Sequence, residues 1–397
     1  MAERHFEFLI IGGGTAGITV ASRILRRVPR ASLAVVEPSD KHFYQPLWTL
    51  VGGGEVDKQE TVRPEAEVMP PGATWVRARA RKVDPEARTV ETDDGQTLRY
   101  DYLVVAAGLR ILWDQVKGLR ETIGKNGVCT NFDYHYVDST WKFLQEFEEG
   151  NAIFTFPNTE TKCGGAPQKI MWLADHYFRE TRKRDRATIY FATPRPTFFG
   201  VSYYAEPLLR LVKERDIHPL YRHNLVEVRG ERKEAVFEQL DTGETVVLPF
   251  AFLHVTPPQG PHGFLQNSPL ADADGWVDLD PHTLQHVRYP NVFGLGDCSN
   301  LPTSKTGAAV RKQAPVLVDN LLAFRAGESP LPARYDGYTS CPLITGYGRL
   351  ILAEFDYAGR PRETFPIDQR KERYSMYLLK RYILPWMYWN LMLKGYA

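Results

Sequence analysis

Four cysteines, Cys129, Cys163, Cys298 and Cys341, are too few and too widely spaced in 397 residues to form a disulfide scaffold. Any disulfide among them serves chemistry rather than structure. Cys163 is the best placed for it. It lies in the run Lys162-Cys163-Gly164-Gly165, just before a helix that Pro167 can open and whose apolar stripe is Ile170, Leu173 and Tyr177. The positive end of that helix, together with Lys162 or Lys169, favours a thiolate. A second signal is Gly12-Gly13-Gly14-Thr15-Ala16-Gly17, which satisfies G-x-G-x-x-G. Gly12 permits a tight turn, Gly14 lets the backbone approach a pyrophosphate, and Gly17 lets a helix pack on the preceding strand.

Each loop needs a strand before it and a helix after it. Residues 6–11 read as an apolar strand, 18–28 as a helix, and 32–36 as a second strand ending in Glu37, where an acid binds ribose hydroxyls. In the middle of the chain, Asp138 and Ser139 start a helix with Trp141, Leu144 and Phe147 on one face. A strand at 152–156, the helix opened by Pro167 and a strand at 187–193 complete a second βαβ outline. Its connecting loop lacks a second G-x-G-x-x-G, which argues against a nicotinamide substrate. Two further segments favour FAD over NAD at the first site. Residues 100–109, YDYLVVAAGL, form a strand ending in a small-residue turn that contains Gly108. Residues 291–297, NVFGLGD, form a strand whose terminal Asp297 is placed to reach a flavin ribityl chain. The chain leaves an FAD domain and returns to it.

The composition is that of an ordinary globular protein: 43% hydrophobic, 24% charged, formal net charge +1. Nothing in it points to nucleic acid. No apolar run reaches the roughly 18 residues of a membrane span, and no secretory signal is read at the start, which favours the cytoplasmic face. From Arg370 onward the chain has six basic residues against one acid, with many Tyr, Trp, Leu and Met. Pro385 is expected to break it into two short helical pieces that lie at a bilayer interface as a peripheral, monotopic anchor. His282 and His286 have an i,i+4 spacing, but no third ligand accompanies them, so no metal site is assigned.

Five stretches carry a family resemblance: HFYQPLWTLVGGG from His42, KCGGAPQK from Lys162, GLGDCSNLPTSKTGAAV from Gly294, YTSCPLITGYGRLILAEFDY from Tyr338, and LPWMYWNLMLKG from Leu384. In these the chain resembles the sulfide:quinone oxidoreductases, in the subgroup that includes the mitochondrial enzyme. Two departures are Gly307, where the pattern has alanine, and Cys129, which looks like a third cysteine of other subgroups. The resemblance implies an α/β fold of two Rossmann-like dinucleotide-binding domains, glutathione-reductase-like, plus a C-terminal membrane-associating region. The expected divisions are 1–115 and 286–330 for the FAD domain, 116–285 for a Rossmann-like domain without a nucleotide loop, and 331–397 for the quinone and membrane region.

It also implies a redox pair of Cys163 and Cys341, with the persulfide on Cys341 and the flavin-facing thiolate on Cys163. Gln45, Ala80, Lys305, Thr306 and Gly307 join Gly12, Gly14, Thr15, Ala16, Gly17, Glu37, Gly108 and Asp297 around FAD. The implied partners are sulfide, a membrane quinone, the membrane surface, and a small sulfur acceptor such as glutathione, sulfite or cyanide; a homo-oligomer is left open. Cys298 is read as a packing residue, Cys129 as either packing or an auxiliary thiol, and Lys169 as an ordinary surface lysine in preference to a group that steadies developing charge. Tyr347 and Phe355 are candidates for the quinone pocket. The rival readings are a type II NADH:quinone dehydrogenase on the same scaffold and a non-catalytic FAD-binding redox sensor. A pyridine-nucleotide disulfide reductase is disfavoured because no C-x-x-x-x-C is present.

Overall fold

The computed structural model describes residues 4–397. Apolar runs rich in Val, Ile and Leu become buried parallel strands, as expected for strands covered on both faces. The first sheet places Arg4–Ile11 at its centre, with Leu33–Val36 and Ala73–Val76 on one side and Thr97–Val105 on the other. The strand Thr97–Val105 has two partners on its far edge. Its first residues pair antiparallel with Thr89–Thr92, and its last three, Leu103, Val104 and Val105, pair parallel with Val292–Gly294. The chain therefore leaves this sheet and rejoins it some 190 residues later. The helix Thr15–Arg27 packs against the long helix Gly307–Arg325, which follows that return.

A second parallel sheet takes the order Val128–Cys129, Phe252–His254, Gly150–Thr155, Ala187–Thr193, Ile217–Tyr221. The helix Ala166–Glu180 connects two of its strands, with proline in the first turn. A three-stranded antiparallel sheet, His223–Arg229, Glu234–Gln239 and Thr245–Pro249, shares a small apolar cluster with the second parallel sheet, Leu225 and Phe237 joining Ile153 and Leu253. Near the end of the chain an antiparallel hairpin, Thr339–Gly346 and Arg349–Phe355, lies against Ala166–Glu180.

The C-terminal segment differs from expectation. Pro385 does not divide it. Helical structure is continuous from Tyr374 to Met392, with five-residue π turns at Leu379–Ile383 and Tyr388–Met392. The wider turn before Pro385 lets Leu384 N–H reach Leu379 O, so the helix continues past the proline. One face of the segment is bound to the protein: Tyr388, Trp389, Met392 and Leu393 are buried, and Ser22 Oγ donates to Leu393 O at 2.6 Å. The other face leaves Tyr382, Ile383 and Trp386 more than half exposed. Among the described residues no helix is long and apolar enough to cross a membrane.

Candidate active site

The glycine loop is shaped by what surrounds it. A Cβ on Gly17 would stand 1.8 Å from Gly12 O, and one on Gly12, at φ +105°, would stand 2.4 Å from Ala106 O. These two glycines close the turn. Gly14 is different: nothing lies within 4 Å of its Cβ position, and the same holds at Gly108 and Gly307. Three open points at a helix N-terminus, a strand end and a second helix N-terminus form a cradle that fits an anionic dinucleotide. Glu37 closes the strand Leu33–Val36, and its carboxylate accepts from Gly13 N and Ser39 N, each at 2.8 Å. Burial raises its pKa. Each oxygen keeps a second lone pair for a ribose hydroxyl. Ala80 follows Val76 by four residues, and Val76 O accepts from Glu37 N at 3.0 Å. Ala80 therefore cannot lie more than about 14 Å from that end of the sheet.

Thr15 and Ala16 begin the first helix, and Thr15 Oγ1 meets Tyr388 OH at 2.8 Å. The same tyrosine hydroxyl lies 2.6 Å from His42 Nε2, while His42 Nδ1 lies 3.1 Å from Gly13 O and 3.2 Å from Glu65. The C-terminal helix thus buttresses the glycine loop from behind. Sequence reasoning found Thr15 but missed His42, Glu65 and Tyr388, whose contact spans more than 300 positions.

Asp297 does not end a strand as expected. The strand stops at Gly294, and Gly296, at φ +74°, turns the chain into a short helical turn that carries Asp297. Burial raises its carboxyl pKa, offset by the charges of Lys305 and Lys162. Lys305 is buried, with Nζ donating to Ser299 O at 2.7 Å. Thr306 caps the long helix through Ala309 N at 3.0 Å, leaving Gly307 as its first residue. Gln45 receives Lys162 Nζ at 2.6 Å, and burial pushes that lysine down to about 8.

The thiols come together across the domains. Cys163, at φ +54°, sits in a loop tied to the cofactor domain by Cys163 N donating to Lys305 O at 2.7 Å. Cys341 lies in the first strand of the C-terminal hairpin, opposite Ala353, and is 1% exposed. Its thiol and that of Cys163 act on each other directly. Gly165 makes room for this contact, since its Cβ position is 2.4 Å from Leu343 Cδ2. The hydrogen bond from Cys341 and the nearby Lys169 hold Cys163 well below the usual thiol range, while Cys341 is raised. Lys169 Nζ donates to Cys163 Sγ at 3.3 Å, which places the charge on Cys163 rather than its partner.

Lys169 therefore corrects the sequence reading. It is 4% exposed, not a surface lysine, because the first turns of its helix are enclosed on every side. Lys380 was missed altogether. It comes from the C-terminal helix, is 4% exposed, donates to Pro46 O at 2.9 Å, and is pushed down to about 7 by burial and by Lys169. One residue counted among the lipid-facing basics is thus part of the thiol site.

Other candidates separate cleanly. Cys129 is fully buried, with its Sγ 3.6 Å from Leu253 O, and burial raises its pKa; it packs the second sheet. Cys298 is also fully buried and is pushed up to about 11. Tyr347 lies at the hairpin turn, donating to Gly53 O at 2.7 Å, whereas Phe355 lies at the other end, opposite Thr339. About 20 Å of strand separates them, so they do not line one pocket. His282 Nδ1 and His286 Nε2 face the backbone carbonyls of Tyr335 and Leu270 at 3.0 and 3.1 Å, the first in a turn and the second in a β-bridge to Leu279 rather than on one helix face.

Comparison with known proteins gives the family and agrees with the fold. The family model described as pyridine nucleotide-disulphide oxidoreductase matches residues 6–145. The mitochondrial sulfide:quinone oxidoreductase of Mus musculus is 51% identical over 100% of this chain and 88% of its own length. That of Dictyostelium discoideum is 49% identical over 98% of this chain and 86% of its own. The chain belongs to the sulfide:quinone oxidoreductase family. In fold it matches the solved sulfide:quinone oxidoreductase of Aquifex aeolicus with a TM-score of 0.83, at 20% identity, over 99% of this chain and 92% of that one. Both curated relatives are named as mitochondrial, so the cytoplasmic face expected from the sequence gains no support from the family.

Proposed function

We propose that the protein oxidises sulfide at a Cys163–Cys341 disulfide and passes two electrons through FAD to a membrane quinone. The observation that carries the reading is the position of the thiol loop: Cys163 N is bonded to Lys305 O, two residues before Gly307 and its open point. A flavin held there supplies an acceptor for a thiolate's electron pair and a donor to quinone. Hydrosulfide attacks Cys341 Sγ in the disulfide; the S–S bond breaks and its electron pair leaves on Cys163 Sγ. Cys341 then carries the persulfide, and Lys169, 3.3 Å from Cys163, steadies the thiolate. A small nucleophile such as glutathione, sulfite or cyanide removes the outer sulfur.

The second Rossmann-like unit has a thiol where a hydride-transferring relative would need a nucleotide loop. Turnover with sulfide and a short-chain quinone, compared with NADH and the same quinone, tests the reading. Sulfide-dependent reduction with no NADH-dependent reduction is expected; the reverse would overturn it, and neither activity would leave the sensor. Quinone is drawn from a membrane on which the exposed Tyr382, Ile383 and Trp386 rest. Deleting the segment from Tyr374 would also remove Tyr388 from the glycine loop, so Trp386→Glu is the cleaner variant. It is expected to weaken vesicle binding about tenfold or more; undiminished binding would count against the anchor.

A further inference from the structure

The sulfane sulfur on Cys341 must leave on a second substrate, and one cation beside that cysteine has no hydrogen-bond acceptor among the described residues. Arg195 follows the strand Ala187–Thr193 at the carboxyl end of the second parallel sheet, where open α/β sheets bind ligands. Its side chain is half-buried, with the guanidinium 4.4 Å from the Phe156 ring. Among the described residues the guanidinium makes no hydrogen bond or ion pair. A guanidinium has five N–H donors and stays charged, so partial burial without an acceptor is costly.

The space in front of it is defined by a glycine. The Cβ position of Gly164 is open except for two side-chain atoms, Arg195 Nη1 at 3.9 Å and Ser304 Oγ at 3.8 Å. Ser304 Oγ also accepts from Gly164 N at 3.2 Å and lies 3.7 Å from Cys341 Sγ. Gly200 borders the same guanidinium, its Cβ position 3.7 Å from Nη1. A guanidinium and a hydroxyl thus flank one open point next to the thiol that holds the transferable sulfur. Glu160 acts on Arg195 through its charge but forms no ion pair with it. Two donors converging on one point suit an oxyanion.

We propose that Arg195 is the specificity anchor for an anionic sulfur acceptor, holding its sulfonate-like or carboxylate group above Gly164 beside Cys341. This rests on the function proposed above. With sulfite the transfer balances without further reagents: sulfite sulfur attacks the outer sulfur of the Cys341 persulfide and forms the new S–S bond. The Cys341–sulfur bond breaks, its electron pair stays on Cys341 Sγ, and the persulfide proton moves to that thiolate. Thiosulfate and the Cys341 thiol result.

The test uses the full-length holoenzyme in sulfide-dependent quinone reduction, with sulfite as the anionic acceptor and 2-mercaptoethanol as the uncharged one. In Arg195→Met the ratio of kcat/KM for sulfite to kcat/KM for 2-mercaptoethanol is expected to fall roughly 10- to 100-fold. The loss should lie mainly in the KM for sulfite. Arg195→Lys, which keeps the charge and guards against misfolding, should give an intermediate ratio. An unchanged ratio in both variants overturns the proposal. So does an equal loss in the rate of anaerobic flavin reduction by sulfide, which would make Arg195 a hydrosulfide-capturing residue. If the wild-type protein shows no sulfide-dependent quinone reduction, the proposed function fails instead, before any variant is compared.

Discussion

The two strand-loop-helix units of this protein share an outline and differ in what they expose. In the first, residues 12–14 join the strand Arg4–Ile11 to its helix, and two of the three glycines that define the motif are locked by backbone contacts. The N–H groups of Gly12 and Gly13 are taken by Val36 O and Glu37, and the loop presents Gly14 and the N-terminus of the helix to a phosphate. In the second, residues 156–165 join the strand Gly150–Thr155 to the helix Ala166–Glu180. The added length lets the chain reach back to the first domain and place a thiol there. On the function proposed above, one scaffold holds a cofactor with its backbone and does chemistry with a side chain, the difference lying in loop length and one cysteine.

If the second loop is the chemical one, replacing either thiol should have the largest effect. Cys163→Ser or Cys341→Ser is expected to lower sulfide-dependent quinone reduction by about three orders of magnitude or more, and the double variant should be no slower than the worse single. Flavin content should be kept, because the glycine loop is untouched. Steady-state rates normalised to bound flavin check both points. A double variant far slower than either single would show that the cysteines do not act as a unit.

The converse experiment acts on the first loop. A Cβ at Gly14 meets nothing within 4 Å, so Gly14→Val is expected to leave the fold intact while filling the space that the cradle offers. Flavin per chain should fall about tenfold or more with unchanged far-UV circular dichroism. Gly164→Ala in the second loop should keep its flavin. Equal flavin loss from both would mean that the loops do not divide the work.

This contrast was legible in the sequence to the extent that it was local. Gly12, Gly14, Gly17 and Glu37 announce the first unit, and Cys163 before Pro167 announces the second, because turn chemistry and helix opening depend on neighbours along the chain. The meeting of Cys163 with Cys341 came only from resemblance, since nothing between them encodes the hairpin's docking. Lys169 and Lys380 were misread for one reason: lysine is rarely buried, so composition favours the surface. Only the hairpin on one side and the C-terminal helix on the other reveal the enclosure. Pro385 was misread because a π turn can carry a helix past a proline, and no local pattern marks that turn.

The lysine beside the thiol gives a smaller and more specific effect. Cys163 is held low first by its hydrogen bond from Cys341 and then by Lys169. Lys169→Met removes the second cause, so the thiol pKa should rise and the thiolate fraction at a given pH should fall. A rise of one unit corresponds to about a tenfold loss below the pKa. The loss should disappear as pH rises through the new value. The pH profile of iodoacetamide labelling of the reduced protein reads this directly. A uniform loss at every pH would mean that the lysine only supports the fold.

The smallest effect separates the four cysteines into two kinds. Cys129 has the sulfur of a reactive thiol but the surroundings of a core residue: it is fully buried in the second sheet, its Sγ faces Leu253 O, and burial raises its pKa. Without an accessible thiolate it neither attacks a disulfide nor accepts sulfur. Cys129→Ala therefore removes only packing, about 1 kcal/mol by the loss of one methylene-sized group. Denaturant unfolding should show that shift while turnover stays within about twofold of wild type. Turnover falling by the orders of magnitude expected for Cys163→Ser would place a third thiol in the relay, and the division between a chemical pair and a packing pair would fail.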